Sequence, residues 1–217
     1  MRHIQNALRG LALLLLTLSA AAHAATLYDN IGAASGGGDS PAAINFGPLA
    51  ISFSSGPDPI DLTDVQLLLS GDNTGAGSFS VNLLSDDATN PGTVLTSFGS
   101  LSDSSLSFTP GTFSFALGAT YSLSANTRYW LQLSATNDSS VNWSYSSDTT
   151  GFGVAGEYYA NAVVVFDNAS NPNSPYQAQI NGTTPVPAPA AAWLFASALG
   201  GLGVWRGGLI QRQAGRV

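Results

Sequence analysis

Thirteen carboxylates, all between Asp29 and Asp167, are the side chains of this sequence best placed to do chemistry near neutral pH. Between residues 25 and 185 there is no histidine, cysteine or lysine, and Arg128 is the one cation. Ser-His-Asp, Cys-His and Ser-Lys arrangements are therefore excluded from that stretch, along with zinc sites built on His or Cys. Carboxylate chemistry remains, either as the paired acids of a glycoside hydrolase or as oxygen ligands for calcium. Most of the acids stand beside Gly, Asn, Pro or Ser, where solvated turn residues are expected. Glu157, next to Tyr158 and Tyr159, is the one acid in an aromatic setting. The expectation is that the chain is not an enzyme. For calcium the candidates are Asp58, Asp61 and Asp64 around a proline turn, and Asp72 with Asn73. Neither group repeats an Asp-x-Asp-x-Asp-Gly loop, and ordinary turn and edge-strand acids are the competing reading. No other cofactor is expected.

Aromatic residues offer a second kind of site. Trp130, Trp143, Tyr145, Tyr158 and Tyr159 could stack on sugar rings if several share an exposed face. Val141, Trp143 and Tyr145 fall on one face of a strand, opposite Asn142 and Ser144, and that face is more economically the core. Trp130 alternates with Tyr129 and Leu131, so one of the two sets must point inward. Sequons at Asn137, Asn142, Asn168 and Asn181 matter only in a eukaryotic secretory pathway.

The elements that must position these residues read as strands. Short apolar stretches alternate with Ser, Thr and Asn, and turn signals recur every 8–12 residues or so. Residues 60–69 and 78–83, joined through Gly71-Asp72-Asn73-Thr74-Gly75, are expected to form a β-hairpin. Turns are marked at Asp86-Asp87 and at Asn90-Pro91-Gly92, and further strands at 93–98, 112–115, 128–133, 141–145, 162–166 and 176–180. Residues 32–39 read as a mobile loop. No helical apolar period is sustained between residues 25 and 184. The expected fold is all-β, a single jelly-roll-like β-sandwich of about eight to ten strands over residues 25–182. With no cysteine, its core alone must hold it together.

The two ends are patterned differently. Arg2 and Arg9 precede an apolar run, and Ala22-His23-Ala24 supplies the small-x-small site of a signal peptide over residues 1–24, with the cut expected after Ala24. Residues 183–189 form a proline-rich stalk, and 190–217 hold a sixteen-residue uncharged run followed by Arg206, Arg212 and Arg216. That run makes a helix of about 24 Å, which Leu209 and Ile210 can extend into a transmembrane anchor if Arg206 snorkels. The arginines should remain cytoplasmic. Between the ends, one arginine stands against thirteen acids, a formal charge of −12. So acidic a domain repels nucleic acid and anionic membrane surfaces, and its acidity also serves solubility.

Val186, Pro187, Ala188, Pro189 and Ala190, with the Trp193-Leu194-Phe195 stretch and the following arginine, resemble the PEP-CTERM sorting signal of Gram-negative bacteria in its VPxPA variant. The sequence departs from that pattern in lacking a Glu between the prolines and in a tail extended beyond Arg206. The resemblance implies an exosortase-type protease as partner, acting near residues 186–190 after transient residence in the inner membrane. Delivery to the cell surface or the exopolysaccharide matrix would follow. The Asn90-Pro91-Gly92-Thr93-Val94-Leu95 segment and residues 123–131 resemble choice-of-anchor type β domains, a family with no assigned catalytic residues. The leading expectation is a structural or adhesive protein of the biofilm or exopolysaccharide. A carbohydrate-binding module and a carboxylate-only glycoside hydrolase are the alternatives. A eukaryotic GPI-anchored protein fits less well, because a GPI signal ends in its apolar tail rather than in arginines.

Overall fold

Alternation of apolar and polar side chains builds the central strand, and one extra residue keeps it in phase. In the computed structural model, which describes residues 22–73, 76–154, 156–163 and 173–185, β4 (Ile60–Ser70) buries Ile60, Leu62, Val65, Leu67 and Leu69. Leu62 and Val65 are three residues apart, so strict alternation would turn Val65, Leu67 and Leu69 outward. The registers of both neighbouring strands slip at Thr63. That bulge restores the inward phase, and Thr63 Oγ1 ties it by donating to Asp64 Oδ2 at 2.8 Å and to the Asn181 carbonyl at 3.1 Å.

Eleven strands are described. They are β1 (Ala24–Asp29), β2 (Ser35–Asp39), β3 (Leu49–Ser54), β4, β5 (Ser78–Asp87), β6 (Asn90–Ser102), β7 (Gly111–Leu123), β8 (Arg128–Ala135), β9 (Asn142–Ser146), β10 (Asn161–Val163) and β11 (Ala178–Thr183). All pairings between them are antiparallel. One sheet runs β1-β11-β4-β9-β2 with β7 on β4, and the other runs β10-β3-β8-β5-β6. The pairings nest: β5 with β6, β4 with β7, β3 with β8, β2 with β9, alternating between the two sheets. Leu62, Val65 and Leu67 from one sheet share a single apolar cluster with Ile51, Leu83 and Leu131 from the other. The fold is therefore all-β and sandwich-like, within the compact unit His23–Pro185.

Two sequence expectations are corrected here. Residues 60–69 and 78–83 do not pair as a hairpin, because β4 and β5 belong to different sheets. The chain between them crosses the end of the sandwich and is held there, Gly71 N–H donating to the Ser107 carbonyl and Asp103 N–H to that of Gly77. The tight hairpin is β5–β6, closed by Ala88 and Thr89 between the paired Asp87 and Asn90. Residues 32–39 are not a loose loop throughout, since Ser35–Asp39 form β2 on β9. Glycine makes this possible: a Cβ at Gly37 would lie 2.6 Å from Tyr145 Oη.

The sorting motif, the apolar run and Arg206, Arg212 and Arg216 lie outside the described residues, as does nearly all of the signal peptide. Among the described residues, no helix is long and apolar enough to cross a membrane.

Candidate functional site

The five candidate aromatics do not converge on one exposed face. In β8 the alternation sends Tyr129, Leu131 and Leu133 into the core, so Arg128, Trp130 and Gln132 point to the outer face of their sheet. Trp130 is nevertheless only 1% exposed. It packs with Ala50, Leu84 and Ala162, and Ala160 leans on the same cluster. Its indole Nε1 donates to Asp86 Oδ1 at 2.8 Å. Arg128 holds the covering segment in place. Its Nε donates to the Tyr158 carbonyl at 3.2 Å and its Nη2 to the Glu157 carbonyl. Its Cζ lies 5.7 Å from the Tyr158 ring centroid, and Nη1 lies 3.8 Å from Asp86. The one cation between residues 25 and 185 is thus committed to structure.

Trp143 is fully buried. It stacks on Tyr176 with centroids 4.9 Å apart and donates from Nε1 to the Gln177 carbonyl at 2.9 Å. Tyr176 Oη donates to Asp39 Oδ2 at 2.8 Å, Tyr28 Oη donates to the Tyr176 carbonyl at 3.1 Å, and Tyr28 stacks on Tyr159 at 6.4 Å. Burial pushes the Tyr28, Tyr159 and Tyr176 phenols well above their ordinary range, and the Asp39 carboxylate beside Tyr176 adds to the shift there. These phenols stay neutral and do not act as bases near pH 7. Tyr145, Tyr158 and Tyr159 are half-buried. A sugar platform built on Trp130 and Trp143 is therefore corrected: core packing hides one indole and the 157–162 segment covers the other.

The acids proposed for calcium diverge. Asp61 accepts from Ser122 Oγ at 2.5 Å, toward β7, whereas Asp64 accepts from Asn181 Nδ2 at 3.0 Å, toward β11. Asp58 sits in the exposed loop before β4. Among the described residues, no three His, Cys, Asp or Glu side chains gather closely enough to hold a metal. Asp72 donates its backbone N–H to Ser140 Oγ at 3.0 Å, and Glu157 is exposed.

Two residues that sequence reasoning passed over stand out. Asp103 is fully buried and accepts from Ser139 Oγ, Ser140 N–H and Ser140 Oγ. Phe152 is its opposite, an aromatic 63% exposed on a fixed backbone. Phe152 N–H donates to the Asp29 carbonyl and the Phe152 carbonyl accepts from Asp29 N–H, both at 2.9 Å. Its flanking glycines are required: a Cβ at Gly151 would lie 2.5 Å from the Asp29 carbonyl, and Gly153 holds φ +70 against the Leu27 carbonyl. The ring borders an open groove of about 320 Å³, lined also by Leu27, Pro57, Asp58 and Ile60. The Gly-Phe-Gly triplet was the available sequence signal. A groove of this kind can stack on or cover a small apolar surface; it presents no paired acid and base.

No protein-family model matches the chain, and no curated protein matches it.

Proposed function

We propose that this chain is an exported, non-enzymatic surface or matrix protein, sorted by an exosortase-type protease and structural or adhesive in exopolysaccharide. The observation that carries the reading is the order of signals after the last described strand. β11 ends at Thr183, and Thr184 N–H still bonds the His23 carbonyl at 3.0 Å. Only Pro185 then separates the folded unit from Val186, Pro187, Ala188, Pro189 and Ala190, the apolar run and the arginines. The commitment of Arg128, Trp130, Trp143 and Asp103 to packing supports a scaffold role. The nested strand pairing supports a single jelly-roll-like sandwich.

The test is fractionation of a Gram-negative host that carries an exosortase, expressing the chain with an epitope tag in an exposed loop. The expected result is a membrane-bound precursor and a shorter matrix form ending near residues 186–190. Unchanged fractionation after residues 186–190 are replaced by Gly and Ser would overturn the proposal.

A carbohydrate-binding role is the second reading, and the rigid, exposed Phe152 ring over its groove favours it. Affinity electrophoresis through the host exopolysaccharide should show retardation that Phe152→Ala removes. Equal mobility of the two proteins, with and without polysaccharide, would reject it. A carboxylate-only hydrolase finds the least support, because the most buried carboxylate among the described residues, Asp103, already accepts three hydrogen bonds.

A further inference from the structure

The two sheets end together on one flank in their longest strands, β6 and β7, thirteen residues each and in contact with one another. From Ala88 to Thr127 the sequence carries a single charge, Asp103, and that carboxylate is buried. Three of the large exposed apolar side chains lie here: Val94 (59%) and Leu101 on β6, and Phe108 (80%) between the strands. An otherwise strongly acidic domain therefore has one electrically neutral, partly apolar flank.

Open strand edges on that flank differ in quality. Natural edges are blunted with charge, proline or bulges, since unpaired N–H and C=O groups template pairing with another chain. β6 contains Pro91, and its register against β5 shifts three times. The second half of β7 is broken by a three-residue register slip before Tyr121 and is backed by Asp61 through Ser122. Residues 111–116 carry none of these devices. They pair without interruption with β4 from Leu69 back to Asp64, and among the described residues no other strand pairs with β7. Thr112, Ser114 and Ala116 are exposed, Phe113 is half-buried and Phe115 buried.

We propose that residues 111–116 of β7 pair antiparallel with the same segment of a second copy of this chain. With the two-fold at Ser114, antiparallel self-pairing sets Ser114 against itself and Thr112 against Ala116 on one face, and Phe113 against Phe115 on the other. It also covers the half-exposed Phe113 and joins two six-stranded sheets into one. Two copies bearing so many acids repel at most other approaches, and the neutral flank removes that repulsion. An isologous contact of this kind closes as a two-fold dimer. The pairing rests on the chemistry of the edge and does not depend on where the chain is delivered.

The chain has no cysteine, so single cysteines report contacts without background. Thr112→Cys, Ser114→Cys and Ala116→Cys in the full chain, kept in mild detergent and oxidised, should give disulfide-linked dimers in at least one case. Thr149→Cys, an exposed position away from this edge, should stay monomeric. Ser114→Lys places a charge on an exposed edge position and should raise the dimer dissociation constant at least tenfold in sedimentation, with an unchanged circular dichroism spectrum. Equal cross-linking at residue 149, a full chain that stays monomeric at every concentration, or a folded Ser114→Lys protein that dimerises as before would each overturn the proposal.

Discussion

Asp103 accepts a hydrogen bond from Ser139 Oγ at 2.8 Å although the two residues lie thirty-six positions apart and both are buried. With the Ser140 N–H at 2.6 Å, this carboxylate fastens the loop before β9 to the turn after β6. Its own N–H extends the link to the Gly77 carbonyl, on the crossing between the sheets. Removing the carboxylate strands buried donors, each costing about 1–3 kcal/mol. Asp103→Ala should therefore lower the unfolding free energy by about 3 kcal/mol, and Asp103→Asn by less, since its amide oxygen keeps one acceptor. Urea titration followed by tryptophan fluorescence reads both. A change within about 0.5 kcal/mol for Asp103→Ala, as for ordinary surface substitutions, would rule out this role.

The buried tyrosines predict an alkaline limit. A phenol whose folded pKa stands above its unfolded value of 10.0 contributes stability that is complete below that value and is lost as pH rises past it. Tyr28, Tyr159 and Tyr176 all shift in this direction. Each loses about 1.4 kcal/mol per pH unit above 10, so the three together can consume a typical domain's stability of about 5–15 kcal/mol within a few units. The part of the tyrosinate absorbance that these three phenols supply should rise in one cooperative step together with loss of tryptophan signal. Titration of these phenols while the fold persists would show that they are not buried as described.

The β5–β6 turn should be improvable. Ala88 and Thr89 hold φ +48 and +73, a conformation that costs non-glycine residues about 1–2 kcal/mol each. Asn-Gly is the pair preferred at such a two-residue turn. Ala88→Asn with Thr89→Gly should raise stability by about 1 kcal/mol, measured as a higher urea midpoint at unchanged m-value. A lower midpoint would mean that the present pair makes contacts outweighing its strain.

The all-β, antiparallel character was legible because β4 and β8 alternate strongly and the turns recur. Their partners were less legible. Residues 60–69 and 78–83 are neighbours in sequence, and nothing local tells that Gly71 and Gly77 are bound to residues 103–107, so that the chain crosses between sheets. β2 lacks an apolar pattern, and its glycines let it lie close against Tyr145 of β9. The buried state of Trp130 depends on a segment thirty residues downstream, and Asp103 looked like any other acid among serines. Phe152 was overlooked for a different reason, since its exposure follows from two close backbone contacts at its flanking glycines and from no periodicity at all.

Pairing between the ends of the folded unit bears on the expected signal-peptide cut. Ala24 pairs with Thr183 and Ala25 with Gly182, and His23 exchanges hydrogen bonds with Thr184. The bond between Ala24 and Ala25 therefore lies inside a strand pair once β11 is in place. A peptidase must take its substrate as a free extended strand, which this pairing denies it. β11 is the last of the described strands to be made, so the site stays open until residues 178–183 have emerged and then closes. The folded precursor should resist purified signal peptidase, whereas a chain stopped after residue 173, which lacks β11, should be cut after Ala24. N-terminal sequencing of the products decides the matter, and equal cleavage of both forms would show that β1 leaves β11 readily and that its pairing sets no order on processing.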